Sequence, residues 1–534
     1  MNQSSQNHTG KIARAAGSMS VAVLLSRVLG LVREQVLAAL FGAGYAIDAF
    51  VVAFRIPNLL RDLFAEGALS TAFVTVFTHH DQKLGPERTW RLANNVIACL
   101  AILVGSISLL GMIFSPRLVE LMAPDFGLVP GKIQLTSTMT RIMFPFLLLV
   151  SLAAVVMGIL NTKEKFFIPA LSSSFFNLGS IVIGVGLALL LPHFGVSAIE
   201  GMAWGALAGG LMQLLVQVPQ LRRVGFRLQL VLDWRDEGLR QIFRLMLPAV
   251  VGLSASQINV FINTFYASSC QQGSVSWLNY AYRLVHLPQG LFGVALSVAT
   301  LPMVSRFAAH RDLTAMKEAF SSSLSLAMLL TLPAAAGLMA LADPICAVIF
   351  QHGRFTALDT HQTAAALILY CLGLFAFAGV KILVPVFYAL DDTKIPVIGS
   401  FITVAANIAL INLTITPMGH RAIALSTSLS MMVNLLFLGA MLYRKVEGYA
   451  LKDLMTTLMK VTGASALMGL AVWGFYSVAA AWLGKSLFRE MLALGGSIFL
   501  GVALYLSLIF PLHIPEFQFL LGGLKARWGR SRGE

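Results

Sequence analysis

The chemistry open to this sequence is concentrated in cations placed where cations are expensive. The apolar stretch from Ser20 to Phe41, SVAVLLSRVLGLVREQVLAALF, carries Arg27 and Arg33, with Glu34 beside the second. The next stretch, AFRIPNLLRDLFAEGALS, carries Arg55 and Arg61 at the same spacing. Later apolar stretches add Arg141, Arg283 and, deep in FAFAGVKILVPVF, Lys381. An arginine at the centre of a membrane-crossing helix costs about 2.5–3.5 kcal/mol on insertion scales, so a set of them implies a function. Fewer acids accompany them, and such an excess must be hydrated or neutralised by a ligand. The simplest ligand is an anion. Guanidinium forks suit phosphate oxygens, which they hold two at a time while staying charged.

At about 100° per residue, a spacing of six sets two side chains roughly 120° apart on a helix. That suits the wall of a broad water-filled cavity, or one arginine turned inward and one snorkelling to an interface. The competing reading makes these arginines caps of helix ends or partners of Glu34, Asp48, Asp62 and Glu66. Arg27 and Arg55 have no acid within a turn on their own helix, and Arg141, near a span end, reads as interfacial. Ser26, Asn58, Ser276, Asn279 and Gln289 lie in the same regions, where they would line a cavity or hydrogen-bond neighbouring helices. Pro57, Pro288, Pro385, Gly290 and Gly293 can bend helices and free carbonyls at that depth.

The elements that must position these groups follow from composition. Of 534 residues, 57% are hydrophobic and 12% charged, and the mean hydropathy is +0.80. Soluble proteins carry about twice that share of charge, so this is a polytopic membrane protein. Its net charge of +14 does not point to nucleic acid, because the cations fall mostly in short loops between apolar segments, where membrane lipids are their neighbours. Cys99, Cys270, Cys346 and Cys371 are scattered, which supports neither a metal site nor a disulfide framework. The opening MNQSSQNHTGKIARAAG reads as a short cytoplasmic tail rather than a cleavable signal.

Apolar segments fall at 20–41, 46–78, 92–114, 138–160, 167–191, 198–219, 243–268, 275–304, 318–341, 362–389, 395–416, 420–443, 457–483 and 488–511, about fourteen spans. An even number puts both termini on one side, and the Lys and Arg excess in alternate loops makes that side the cytoplasm. The linker from Gln220 to Arg244 contributes most, with Arg222, Arg223, Arg227, Arg235, Arg240 and Arg244. AFRIPNLLRDLF from Ala53 is echoed by AYRLVHLPQGLF from Ala281, so Arg55 aligns with Arg283 and Leu63 with Leu291. The halves then run parallel, as in rocking transporters. The expected fold is all-α, with two parallel-repeat six-helix lobes and two extra C-terminal helices around a central cationic cavity. The expected division is a first lobe over 1–225, a linker and second lobe over 226–450, a two-helix groove over 451–512 and a basic cytoplasmic tail over 513–534.

Enzymatic readings are thin. Gly484-Lys485-Ser486 resembles the end of a phosphate-binding loop, but Ala479 stands where its first glycine is required. His79-His80-Asp81 reads as a solvated turn more readily than as a metal site. Asp391-Asp392 lies in a short turn without a second acidic cluster. With no nucleotide site, work would have to come from a membrane potential, an ion gradient or removal of product.

SRVLGLVRE (Ser26 to Glu34), FGAGYAIDAFVVAFRIPNLLRDLFAEGALSTAF (Phe41 to Phe73) and GSVSWLNYAYRLVHLPQGLFGVAL (Gly273 to Leu296) closely resemble the MurJ/MviN lipid II flippases of bacteria. The similarity runs through nearly the whole chain and extends to the multidrug/oligosaccharidyl-lipid/polysaccharide exporter superfamily. It implies no enzyme, but transport of lipid II, the undecaprenyl-pyrophosphoryl-MurNAc-pentapeptide-GlcNAc precursor of peptidoglycan, across the bacterial inner membrane, with cell-wall synthesis proteins as partners. By that likeness Arg27, Arg33, Arg61 and Arg283 face the pyrophosphate and sugar head. Lys381, Asn58, Glu66, Ser26 and Ser276 match further polar positions, and spans thirteen and fourteen hold the prenyl tail. Glu34 stands where relatives commonly have Asp, and Tyr282 where some have an Asp beside the arginine matching Arg283. The rivals are an exporter of another polyprenyl-pyrophosphate oligosaccharide, a membrane enzyme on the same lipid, and a nonconducting scaffold.

Overall fold

Apolar runs of this length become helices because a bilayer offers the backbone no water to bond, and a helix satisfies its own N–H and C=O groups. The computed structural model describes residues 3–63, 68–483 and 486–518, and no strand occurs among them. Glu66, Gly484, Lys485 and the basic tail after Lys525 lie outside the described residues.

In chain order the first ten helices are α1 (Gln3–Phe41), α2 (Tyr45–Arg61), α3 (Ala68–Lys83), α4 (Pro86–Ile113), α5 (Ser115–Met122), α6 (Lys132–Thr162), α7 (Phe167–Leu190), α8 (Ala198–Leu215), α9 (Val218–Arg223) and α10 (Glu237–Ser268). There follow α11 (Ser274–Pro288), a π-helical segment (Gln289–Val294), α12 (Ala295–Ala309), α13 (Leu313–Ala340), α14 (Ala342–Phe350), α15 (Ala357–Cys371), α16 (Leu374–Ala389), α17 (Lys394–Met418), α18 (His420–Lys445), α19 (Leu451–Leu483) and α20 (Leu487–Ile509).

Among the described residues, 11 helices are long and apolar enough to cross a membrane, and α15 with α16 makes a twelfth. These are the third to fourteenth of the expected segments. The first two expected segments correspond to α1 and to α2 with α3, and residues 64–67 between α2 and α3 lie outside the described residues.

By packing, the chain divides into compact units Met1–Ser276 and Trp277–Glu534, so the basic linker and α10 both belong to the first. The core of this first unit joins Phe73 and Phe77 of α3, Leu92 of α4, Leu147 and Ile159 of α6, and Leu239 and Ile242 of α10, all buried. Beside it α7 and α8 meet along glycines. A Cβ on Gly205 would stand 2.5 Å from the Cα of Gly184, and one on Gly209 2.4 Å from the carbonyl oxygen of Phe176. Such small residues let the two backbones approach closely.

In the second unit, Met316 and Phe320 of α13 pack with Ile382 and Phe387 of α16 and Leu438 and Leu442 of α18. A further cluster joins Leu329 of α13 to Val461, Met468 and Val472 of α19 and to Ile509 of α20, and the Tyr505 hydroxyl donates to the Leu329 carbonyl at 2.8 Å. At one end Lys445 bonds Asp392, and this contact holds the carboxyl below its ordinary value.

Pro385 marks α16 as a helix that bends, but the break lies earlier, at 42° between α15 and α16. Ser428 of α18 is its cause. Its hydroxyl bonds the Leu369 carbonyl at 2.7 Å and the Tyr370 carbonyl at 3.1 Å, inserting into the ladder there. Gly373 makes room: a Cβ there would lie 2.8 Å from the Ser428 Cα.

Candidate functional site

The two arginines of α1 differ in burial. Arg27 is exposed, whereas Arg33 is buried, ion-paired to Glu34 at 3.0 Å and stacked over the Phe176 ring at 5.3 Å. α1 is set against α7 near this point, where Asn177 donates to the Ser26 carbonyl at 3.1 Å. A Cβ on Gly30 would lie 3.6 Å from the same asparagine.

α2 and α10 are joined by two polar rungs. The Arg55 guanidinium donates to the Thr264 hydroxyl at 2.6 Å. About two turns further along α2, Asp62 accepts from Arg61 at 2.9 Å and from the Gln257 amide at 3.4 Å. Arg55 and Arg61 are thus both half-buried and both engaged, rather than split between interior and interface. Asn58 lies between them on α2, and its Oδ1 is buried with no partner among the described residues. Arg141, exposed, donates to Ser115 at 2.9 Å near the start of α6, in keeping with an interfacial place.

Ser276 is not an open polar contact. Its side chain and backbone N–H both bond Oδ1 of Asp48, at 2.6 and 3.0 Å, and the Gly273 N–H bonds Oδ2 at 2.8 Å. Lys132 completes the shell with an ion pair at 3.1 Å, its Nζ 4.0 Å from the centre of the Phe126 ring. Asp48 and Lys132 are 1% and 2% exposed. A pair so buried would be costly alone. Here the carboxylate receives four hydrogen bonds, which offset its desolvation.

In the second unit Arg283 is exposed on α11, and Lys381 is half-buried on α16, its carbonyl accepting from Ser297 at 2.7 Å. Tyr282 stacks edge-on to His286 at 4.3 Å and lies against Tyr370 at 5.4 Å. It packs as an aromatic residue. Just beyond Arg283, the segment Gln289–Val294 is π-helical, and residues 62–63 after Arg61 are π-helical too. The repeat that aligns Arg55 with Arg283 aligns Leu63 with Leu291, so each unit loosens its ladder at the same position. Such π turns recur at functional places.

A second feature of this unit is an apolar groove of about 540 Å³. Phe292, Leu329, Met468, Val472, Val502 and Tyr505 are among its lining residues, drawn from the π segment, α13, α19 and α20.

Three pieces of this geometry escape sequence reading. Lys132 sits at a helix start and looks like any loop cation. Thr264 and Gln257 lie in the seventh span, where their helical spacing with Asn263 was the available signal. His79, His80 and Asp81 lie on α3 rather than in a turn, and Asp81 is ion-paired to Lys163 at 2.6 Å. Among the described residues no group of three or more metal-ligating side chains converges.

Two units of packed helices, matched π turns and cations on apolar helices define a class: the chain has the fold of the multidrug and lipid exporters. An inward-facing multidrug transporter of that superfamily superposes with a TM-score of 0.67 over 81% of this chain and 99% of its own, at 16% identity, a likeness of fold alone. The particular family is shown by sequence. The family model described as lipid II flippase MurJ matches residues 37–493, and the chain belongs to that family. A probable lipid II flippase MurJ of Vibrio cholerae is 36% identical over 506 residues, covering 93% of this chain and 95% of the relative. A solved lipid II flippase MurJ in an inward closed conformation matches with a TM-score of 0.76 and 26% identity, covering 93% of this chain and 98% of its own.

Proposed function

We propose that this chain is a transporter, not an enzyme, that moves lipid II from the cytoplasmic to the outer leaflet of the bacterial inner membrane by alternating access. The observation that carries this reading is the family match over residues 37–493. Arg27, Arg33, Arg61, Arg283 and Lys381 are the cations proposed to meet the pyrophosphate head, with Asn58, Ser26, Ser276 and Glu66 as further polar positions. For Ser276 the engagement with Asp48 leaves a positioning role more room than direct contact. The groove beside α19 and α20 has the apolar lining that a prenyl tail requires. Both termini are proposed to be cytoplasmic, since the arginine-rich linker lies on their side.

Energy would come from the membrane potential or an ion gradient. Moving one charge through the full potential is worth about 2.3 kcal/mol per 100 mV. With ligand bound the moving charges largely cancel, so the potential acts chiefly on the empty, cationic carrier and returns it to face the cytoplasm. Collapse of the potential with the pH gradient clamped should then shift cysteine accessibility outward in substrate-free protein.

Binding of purified protein to a panel of lipid-linked sugars tests the substrate. Lipid II should bind more tightly than other undecaprenyl-pyrophosphate oligosaccharides, and Arg27→Lys or Arg283→Lys should weaken it nearly as much as alanine, because lysine keeps charge but loses the fork. Equal binding across the panel would point to an exporter of another lipid-linked oligosaccharide. Unaltered lipid II binding and flipping by Arg27→Ala would remove that residue from the site.

A further inference from the structure

The connection between α9 and α10 is not a slack tether. Asn94 and Asn95, neighbours on α4 and both buried, grip it with two hydrogen bonds each. Asn94 donates to the Arg227 carbonyl at 3.1 Å and accepts the Gln229 N–H at 2.8 Å. Asn95 donates to the Asp233 carbonyl at 2.8 Å and accepts the Asp233 N–H at 2.8 Å. Phe226 is buried edge-on against Trp90 at 5.8 Å. The backbone between these anchors is held at both ends, so its side chains are kept where they point.

What they present is apolar. Leu228, Leu230 and Leu232 are 71%, 98% and 54% exposed, and Trp234 follows at 47%. Around them stand Arg222, Arg223, Arg227, Arg235 and Arg240, all exposed. Burying three leucines would have been favourable had they been free to fold back. The segment also begins and ends at membrane-spanning helices, Ala198–Arg223 and Glu237–Ser268. It therefore lies at the level where helices leave the bilayer.

Leucines and a tryptophan held out among arginines match a membrane interface in depth and in charge. The leucines reach the acyl boundary, the indole suits the headgroup layer, and the guanidinium groups meet lipid phosphates. An acidic protein could answer the same charges, but the flanking spans place a bilayer at hand without any second molecule. We propose that residues 226–235, with the arginines beside them, form an anchor seated in the anionic bilayer interface.

The test uses full-length protein carrying Cys270→Ser and Leu230→Cys, with a nitroxide on the new thiol; the three remaining cysteines are buried. Because Leu230 is 98% exposed, this exchange disturbs no packing. In vesicles of phosphatidylethanolamine and phosphatidylglycerol, power saturation should find the label accessible to oxygen and protected from a water-soluble nickel chelate. In phosphatidylcholine alone, or with Arg222, Arg223 and Arg227 changed to Gln, it should move toward water. A label fully accessible to nickel in the anionic vesicles would overturn the anchor and leave this face to a soluble partner. Equal immersion in both lipids would overturn its assignment to anionic headgroups.

Discussion

Asp48 and Ser276 occupy equivalent positions of the internal repeat and are hydrogen-bonded to each other, Ser276 donating its hydroxyl at 2.6 Å. With Lys132 and two backbone N–H groups on the same carboxylate, the contact ties the start of α2 to the start of α6 and to the turn that opens α11.

Removing one charge of this pair should be worse than removing both. Asp48→Asn leaves the Lys132 ammonium buried without its counter-charge, at a cost of about 3–5 kcal/mol. Asp48→Asn combined with Lys132→Met should recover a large part of that loss. Thermal unfolding of the purified variants in one detergent measures it; a double variant as unstable as the sum of the singles would show that the two residues act independently.

The Arg55–Thr264 rung gives a test that keeps shape constant. Thr264→Val has the same volume but takes one acceptor from the guanidinium, which is worth about 1.5–3 kcal/mol for a charged donor. Flipping in reconstituted vesicles should fall well below wild type, and Thr264→Ser, which keeps the hydroxyl, should restore most of it. Wild-type flipping by the valine variant would make the rung dispensable.

Gly205→Ala should destabilise α7 against α8, since the added carbon meets the Gly184 Cα at 2.5 Å and the Ser180 carbonyl at 2.7 Å. Backbone atoms cannot turn aside, so the cost lies at the upper end of the about 1–3 kcal/mol typical of overpacking. Gly186→Ala on α7 meets nothing within 4 Å and should be neutral or slightly stabilising. Equal unfolding temperatures for the two would contradict the close approach.

Cys270 lies in the turn after α10, and burial pushes its thiol up to about 11. The thiolate is the reacting form, so the rate of maleimide labelling should rise about tenfold for each unit between pH 7 and 9 without levelling off. An impermeant reagent should reach it from outside intact spheroplasts if the proposed orientation holds. A rate that begins to level off toward pH 9 would mean an ordinary thiol, with a pKa of about 8.5.

The class of fold was legible in the sequence because a bilayer leaves an apolar run of twenty residues almost no choice but a helix. The repeat was legible for the same kind of reason: AFRIPNLLRDLF and AYRLVHLPQGLF share five residues, among them Arg55 and Arg283, at matching positions. So was the presence of costly cations, since a charge in an apolar run is visible without any neighbour. What each cation does was not legible, because its energy depends on groups distant in sequence. Arg33 has its acid next door, so its pairing with Glu34 was among the alternatives open from sequence. Arg55 is held by a hydroxyl 209 positions away, and Ser276 belongs to a carboxylate 228 positions away. The bend between α15 and α16 has no proline to announce it, because the hydroxyl that enters the ladder comes from Ser428 on another helix. Local propensity and hydropathy act through neighbours along the chain, while hydrogen bonds and ion pairs act through space, and only the packed structure says which side chains share it.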